Sequence, residues 1–341
     1  MFVKENYPID FVIAWVDGDD PKWKAEKRKY QEEKELVESD GRDIRFKDLG
    51  TLKYWFRAVE KYAPWVRKIH FVTWGHIPKW MDVSNPKLHI VKHSDYIPEQ
   101  YLPTFSSHTI ELNFHRIEGL AEHFVYFNDD MYITKSVTPR DFFYKGLPRD
   151  IAAINAKWFV SGNTPAYVQI KNTAIINKYF DKNTVIKNNI FGWFNLKYGN
   201  LLWRTCALLP WPKFIVLHTT HLPTSFLKST FYEVWEKEWE VLDGTCKHKI
   251  RSYLDVNQWL FQFWQICSGK FYPSSISRGR GYVLGESEEG NKKVYYAIET
   301  NKYKLLCVGE GDKDKDYNSI ATNLQKSFHK ILPERSSFEK Y

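Results

Sequence analysis

One continuous apolar run, residues 9–16 (IDFVIAWV), most constrains what this chain can become, and residues 68–74 (KIHFVTW), 86–93 (PKLHIVKH) and 124–127 (FVYF) read as three further strands. A run of this length without polar alternation suits a strand covered on both faces. The intervening segments have helical character. Residues 22–40 are charged and read as an exposed helix. In residues 48–62, Leu49, Leu52, Trp55, Phe56 and Val59 recur at amphipathic spacing, and Pro64 stops the helix. Residues 107–123 read as another helix. Strands alternating with helices build βαβ units, so the expected fold class is α/β with a mostly parallel sheet and helices on both faces.

Ligands of such sheets collect at the carboxyl ends of the strands. Two of the four runs end in acid there, at Asp17-Gly18-Asp19-Asp20 and at Asn128-Asp129-Asp130. One acidic turn often only caps a helix. Two at equivalent ends of one sheet point to a site. Paired carboxylates such as Asp129 and Asp130 suit Mg²⁺ or Mn²⁺ held against a diphosphate, because hard cations take oxygen ligands. Arg116, next to His115, can fork onto phosphate oxygens or pair with Glu118 or Glu122.

His218 and His221 are three apart, but Pro223 and two threonines argue against a regular helix and so against a zinc pair. One imidazole acting as general base suits an attacking sugar hydroxyl, and a satisfied half-buried histidine suits the sequence equally. His248, Arg251 and Asp255 fall on one face of a helix, either bordering a charged ligand or forming an ion-paired outer surface.

Composition narrows the function classes. The chain has 49 Lys and Arg against 41 Asp and Glu, a net +8, with 17% aromatic residues. That balance suits sugar- or phosphate-bearing ligands or an anionic membrane face. The absence of an RNA-binding signature or zinc finger argues against nucleic acid. Walker A, GxGxxG, GxSxG and HExxH are all missing, which sets aside P-loop NTPases, dinucleotide dehydrogenases, α/β hydrolases and zincins. Four cysteines lie far apart with no CxxC, and MFVKENYPID has no long apolar stretch. A reducing, cytoplasmic setting is therefore expected. Peripheral contact with the inner face of the membrane, through the basic surface and the last helix, and homo-oligomerisation are further expectations.

The strings IDFVIAWVDGDDP, LGTLKYWFRAVEKYAPWVRKIHFVTWGHIPKW, LPTFSSHTIELNFHRIEGLAEHFVYFNDDMYI, HLPTSF and HKIRSYLDVNQWLF resemble the conserved regions of the Stealth family, and the closing ILPERSSFEKY resembles the end of its bacterial members. The resemblance implies a nucleotide-sugar fold of the Rossmann-like, GT-A-like kind. It also implies transfer of a sugar 1-phosphate from a nucleotide sugar, typically a UDP-hexose or UDP-N-acetylhexosamine, to a glycan hydroxyl, with UMP leaving. Carried onto this chain, Asp17, Gly18 and Asp19 would line the nucleotide, and Arg116 would neutralise the diphosphate. Asp129 and Asp130 would hold Mg²⁺ or Mn²⁺ or orient the sugar, and His221 would be the base. Arg57, His115, His248 and Arg251 would complete the substrate side. A metal-dependent glycosyltransferase releasing UDP is the rival, and a non-catalytic glycan-binding protein a distant third.

The organisation expected along the chain follows from the motifs. Residues 1–145 and 211–275 form the catalytic core, and 146–210 a variable insertion carrying acceptor or sugar specificity. Residues 276–341 supply a loop, short strands and a C-terminal helix. Within that tail, 274–293 reads as a mobile Ser/Gly-rich loop, 294–299 and 303–308 as strands, and 318–331 as an amphipathic helix.

Overall fold

In the computed structural model, which describes residues 7–31, 49–157, 164–310 and 317–340, the four apolar runs become neighbours in one five-stranded sheet. Strands β1 (Ile9–Ala14), β2 (Ile69–Thr73), β3 (Leu88–Lys92) and β4 (His123–Phe127) are parallel, in the order β4-β1-β2-β3. The strand Thr224–Leu227 runs antiparallel along the outer edge of β4. The fold class is the expected mixed α/β arrangement around a mostly parallel sheet.

The register explains the missing polar alternation. Phe11, Ile13, Phe71, Val125 and Phe127 turn to one face, where Trp55 and Phe56 of helix α2 (Leu52–Tyr62) meet Leu324 and Phe328 of the helix Tyr317–Ile331. Val12, Val72, Phe124 and Tyr126 turn to the other, against Leu112, Phe231, Leu260 and Phe263. Both faces are covered, and each large apolar side chain fully buried contributes about 1.5–3 kcal/mol.

One acid interrupts this core. Asp10 is fully buried, accepts from Arg67 Nε at 2.8 Å and from the Ala121 N–H at 2.8 Å, and lies 3.1 Å from His70 Nε2. Burial pushes its carboxyl up, but the bonds from His70, Arg67 and Ala121 outweigh burial and hold it below the usual range. A depressed folded-state pKa adds stability above the unfolded value of 3.8, and that increment disappears as pH falls through the lower folded value. Urea melts between pH 5 and 2 should therefore show a loss of stability below about pH 4 that Asp10→Asn flattens.

Four local expectations are corrected. The helix expected over 107–123 ends at Leu112, because Asn113 turns its amide back onto the Thr109 carbonyl at 2.8 Å; one further turn, Phe114–Arg116, leads to Gly119 at φ 72°. The strand expected at 294–299 lies inside the helix Glu288–Glu299, which Ser287 caps and which Glu288–Lys292 and Glu289–Lys293 pairs support at i,i+4. The expected loop 274–293 holds the strand Gly279–Leu284, paired parallel with Leu305–Glu310. The stretch 248–255 is not helical: Asp255 folds it by accepting from the Ser252 N–H at 2.8 Å. Of the exposed helix expected over 22–40, Pro21–Gln31 is seen as α1, and the remainder lies outside the described residues.

Candidate active site

The two acidic turns emerge side by side. Ile13 of β1 pairs with Phe127 of β4, so Asp17 and Asn128-Asp129-Asp130 follow adjacent parallel strands at the same edge of the sheet. The antiparallel strand Thr224–Leu227 places Thr224 beside Tyr126, which delivers His221, three residues earlier, to that edge too. After the acidic turn, β5 (Met131–Ile133) pairs with Leu305–Cys307, and the Val308 N–H donates to the Asp130 carbonyl at 2.8 Å.

Four side chains converge there. Cys307 Sγ donates to Asp130 Oδ2 at 3.2 Å and lies 3.3 Å from His221 Nδ1. His221 Nδ1 is 3.8 Å from Asp130 Oδ2, and its Nε2 meets the Asn128 side-chain amide at 2.9 Å. The other end of that amide touches the Tyr126 hydroxyl, which bonds Glu111 Oε1 at 3.1 Å. Glu111 and Tyr126 are both buried, so the chain from Glu111 to His221 runs from the core to a half-exposed imidazole. Burial and the nearby Glu111 push the Tyr126 phenol well above its usual range, while the charge of Arg251 pulls the other way and so places that guanidinium within electrostatic reach. Cys307 is a neutral thiol, because burial and Asp130 both raise it.

Beside Arg251, Asp255 is fully buried and accepts from His248 Nδ1 at 2.5 Å and His108 Nδ1 at 2.8 Å. Asp17 offers its N–H to His76 Nδ1 at 3.1 Å and accepts from the Asp19 N–H at 3.0 Å. Asp20 accepts from the Trp23 N–H at 2.8 Å, the helix cap that a lone acidic turn predicts. Gly18 is buried between them.

Other sequence candidates lie elsewhere. Asp19 faces solvent with its side chain 83% exposed and pairs with Lys24. Arg57 is bound by Glu339 at 2.7 Å and donates to the carbonyls of Leu332 and Pro333, so its donors are used by the C-terminal tail. Arg116 stacks over Trp235 at 5.0 Å on the helix Lys228–Lys237, which begins where Leu227 faces His123 at the amino end of β4. Its guanidinium is thus held by that indole and by the Asn113 side chain, to which Nε donates at 3.0 Å. His115 packs there among Phe231, Tyr232 and Trp235, and burial pushes its imidazole down to about 3. His218 is likewise pushed down to about 4 by burial.

A divalent cation fits this edge through its carboxylates. Asp130 Oδ1 is buried and has no hydrogen-bond partner, and Asp130, His221 and Cys307 bring ligand atoms within 4.8 Å of one another. Sulfur is a poor donor to a hard cation, so the unpartnered Asp130 carboxylate is the group here that suits one.

Family descriptions match this chain at the same places: Stealth protein CR1, conserved region 1, over residues 7–35, and Stealth protein CR2, conserved region 2, over residues 45–150. The capsular polysaccharide phosphotransferase WcwK of Streptococcus pneumoniae is 39% identical over 338 residues, covering 99% of this chain and 100% of that one. The chain belongs to the Stealth family. It is accordingly a transferase. Two more members span nearly full length: the exopolysaccharide phosphotransferase cps2G of Lactiplantibacillus plantarum, 38% identical over 100% of this chain and 98% of that one, and the receptor polysaccharide phosphotransferase WefC of Streptococcus oralis, 39% identical over 97% and 99%. Among solved structures, the galactosyltransferase LgtC aligns at TM-score 0.41 and 9% identity over 96% of this chain and 98% of that one. The bifunctional glycosyltransferase WbbM aligns at 0.39 and 7% over 96% and 52%. Likeness that distant carries no chemistry across.

Sequence reasoning had the acids and His221 but not Cys307, Glu111, Tyr126, His108 or His76. Glu111 and His108 share one face of Ser107–Leu112 at i,i+3, a polar pair that the sequence does display. Cys307 carried no such signal.

Proposed function

We propose that this Stealth-family transferase moves a sugar 1-phosphate from a nucleotide sugar, a UDP-hexose or UDP-N-acetylhexosamine, onto a glycan hydroxyl of a surface polysaccharide. The observation that carries the reading is His221 held between Asn128 and the Asp130–Cys307 pair at the edge where both acidic turns emerge. The acceptor oxygen attacks the sugar-proximal phosphorus in line, and its proton passes to the imidazole of His221. The bond from that phosphorus to the bridging oxygen breaks, and UMP leaves with the bridging oxygen. Asn128, fixed by Tyr126 and Glu111, sets the tilt of the ring. Arg251, with His248 oriented by Asp255, supplies positive and hydrogen-bonding groups toward the diphosphate. Asp17 faces the nucleotide from the next strand. A divalent cation held by Asp129 and Asp130 would neutralise charge on the phosphoryl oxygens.

The rival breaks the anomeric C–O bond and releases UDP. Incubation with a panel of nucleotide sugars, Mg²⁺ and an oligosaccharide acceptor should yield UMP and a phosphodiester signal in the phosphorus NMR of the product. UDP with a phosphorus-free glycan would hand the assignment to the rival.

A further inference from the structure

We propose that the surface formed by residues 182–213 docks this enzyme on the anionic headgroup face of a lipid bilayer. No helix among the described residues is long and apolar enough to cross a membrane, and an interfacial attachment needs none. The three most exposed large apolar side chains among the described residues are Leu196 (91%), Phe191 (84%) and Trp203 (79%). Ile190 and Trp211, both at least half exposed, accompany them within the same twenty-two residues. Scattered single exposures need no explanation, whereas a cluster of this density marks a contact surface.

The scaffold beneath is built to hold those side chains outward. Trp193, Tyr198 and Leu201 are buried and fasten the segment to the second core layer. The Tyr198 hydroxyl closes onto the Gly192 carbonyl at 2.6 Å, and buried Lys182 donates to the carbonyls of Leu209 and Trp211, joining the two ends of the segment. The bare aromatics are therefore displayed by fixed backbone.

Charge selects the occupant. Between Asp150 and Glu233 the sequence holds nine lysines and arginines and one acid, Asp181, so this quarter of the chain carries the whole net excess of +8. Lys187, Lys197, Arg204 and Lys213 are exposed, and none is in an ion pair among the described residues. A polyanionic glycan would account for the cations and for rings that stack on sugar faces, but not for the bare aliphatic Leu196 and Ile190. A second copy would press like charges together. Cations interleaved with Trp, Phe and Leu match the boundary between anionic headgroups and acyl chains. The surface also adjoins the site: Arg204 donates to Asn155 at 3.2 Å, and its charge reaches His218, three residues before His221. The inference stands independently of which group the enzyme transfers.

Flotation of the full chain with vesicles tests it. The protein should rise with phosphatidylglycerol-containing vesicles, and about tenfold less with pure phosphatidylcholine or in raised salt. Phe191→Ser/Trp203→Ser and Lys187→Glu/Lys197→Glu should each cut partitioning about tenfold with melting temperatures near that of the parent. Should the apolar pair melt early, the charge pair and the salt dependence of the unaltered protein still decide. The proposal is overturned if the protein stays at the bottom with both lipids. Full flotation by both variants, or a dimer by light scattering that the apolar pair dissolves without any flotation, overturns it too.

Discussion

His221→Ala should slow phosphodiester formation by about 10²–10⁴-fold, the usual contribution of a general base, while the folded protein melts close to the parent temperature. The two halves of that expectation rest on different observations. The His221 side chain is 49% exposed and its polar partners are Asn128, Cys307 and Asp130, so little packing is lost. The imidazole is also at the edge shared by both acidic turns, where an acceptor proton has to go. Because deprotonation matters only in the transition state, kcat should fall with KM almost unchanged. Asp130→Asn should lose turnover too, since an amide cannot supply the negative charge that a cation or a protonated His221 needs. UMP release measured beside a melting curve checks both variants. Retained turnover in His221→Ala would remove the base from the scheme. Intact glycan binding with no turnover in the parent would instead revive the glycan-binding reading.

The difference between what the sequence disclosed and what it withheld follows the range of the interactions. β1 and β4 are legible because burial on both faces leaves no polar residue inside IDFVIA or HFVYF other than Asp10 and His123. The acids after them are legible because a parallel sheet puts equivalent strand ends together. His221 was only one option among the residues, and its place came from resemblance to a family. Cys307 was invisible: it is 86 positions from His221 and arrives only because a tail strand pairs with β5.

Arginines were the least readable class. A sequence shows that Arg57 and Arg116 lie in matched segments, yet not whether a carboxylate or an indole has already engaged them. Residues 294–299 misled for a local reason. Their Val and Tyr content favours strands, but the Ser287 cap and two i,i+4 ion pairs lie upstream of the window and commit the whole stretch to helix.

Arg57 shows the cost of that misreading and gives the largest stability effect expected here. Arg57→Ala or Glu339→Ala should destabilise the protein by about 3–5 kcal/mol, because each leaves an uncompensated charge whose partner was 8% or 6% exposed. Glu339 also accepts from the Ser336 N–H at 2.9 Å, and nearby the Phe338 carbonyl and Lys340 N–H bond Asp82 and Trp80 at 2.8 and 2.7 Å, so the tail is fixed to the body on both sides of the pair. Removing both charges in Arg57→Leu/Glu339→Leu should cost less than either single change, the non-additivity of a buried pair. Burial pushes the Glu339 carboxyl up, but hydrogen bonds from Arg57 and Ser336 outweigh it and leave it below its unfolded value of 4.5. The pair therefore contributes fully above that value and fades as pH falls through the folded one. Urea melts of the singles and the double at pH 7 and pH 3 measure all three statements. A substrate-binding Arg57 predicts another pattern: Arg57→Ala would keep its stability and lose donor affinity, and finding that would return the residue to the active site.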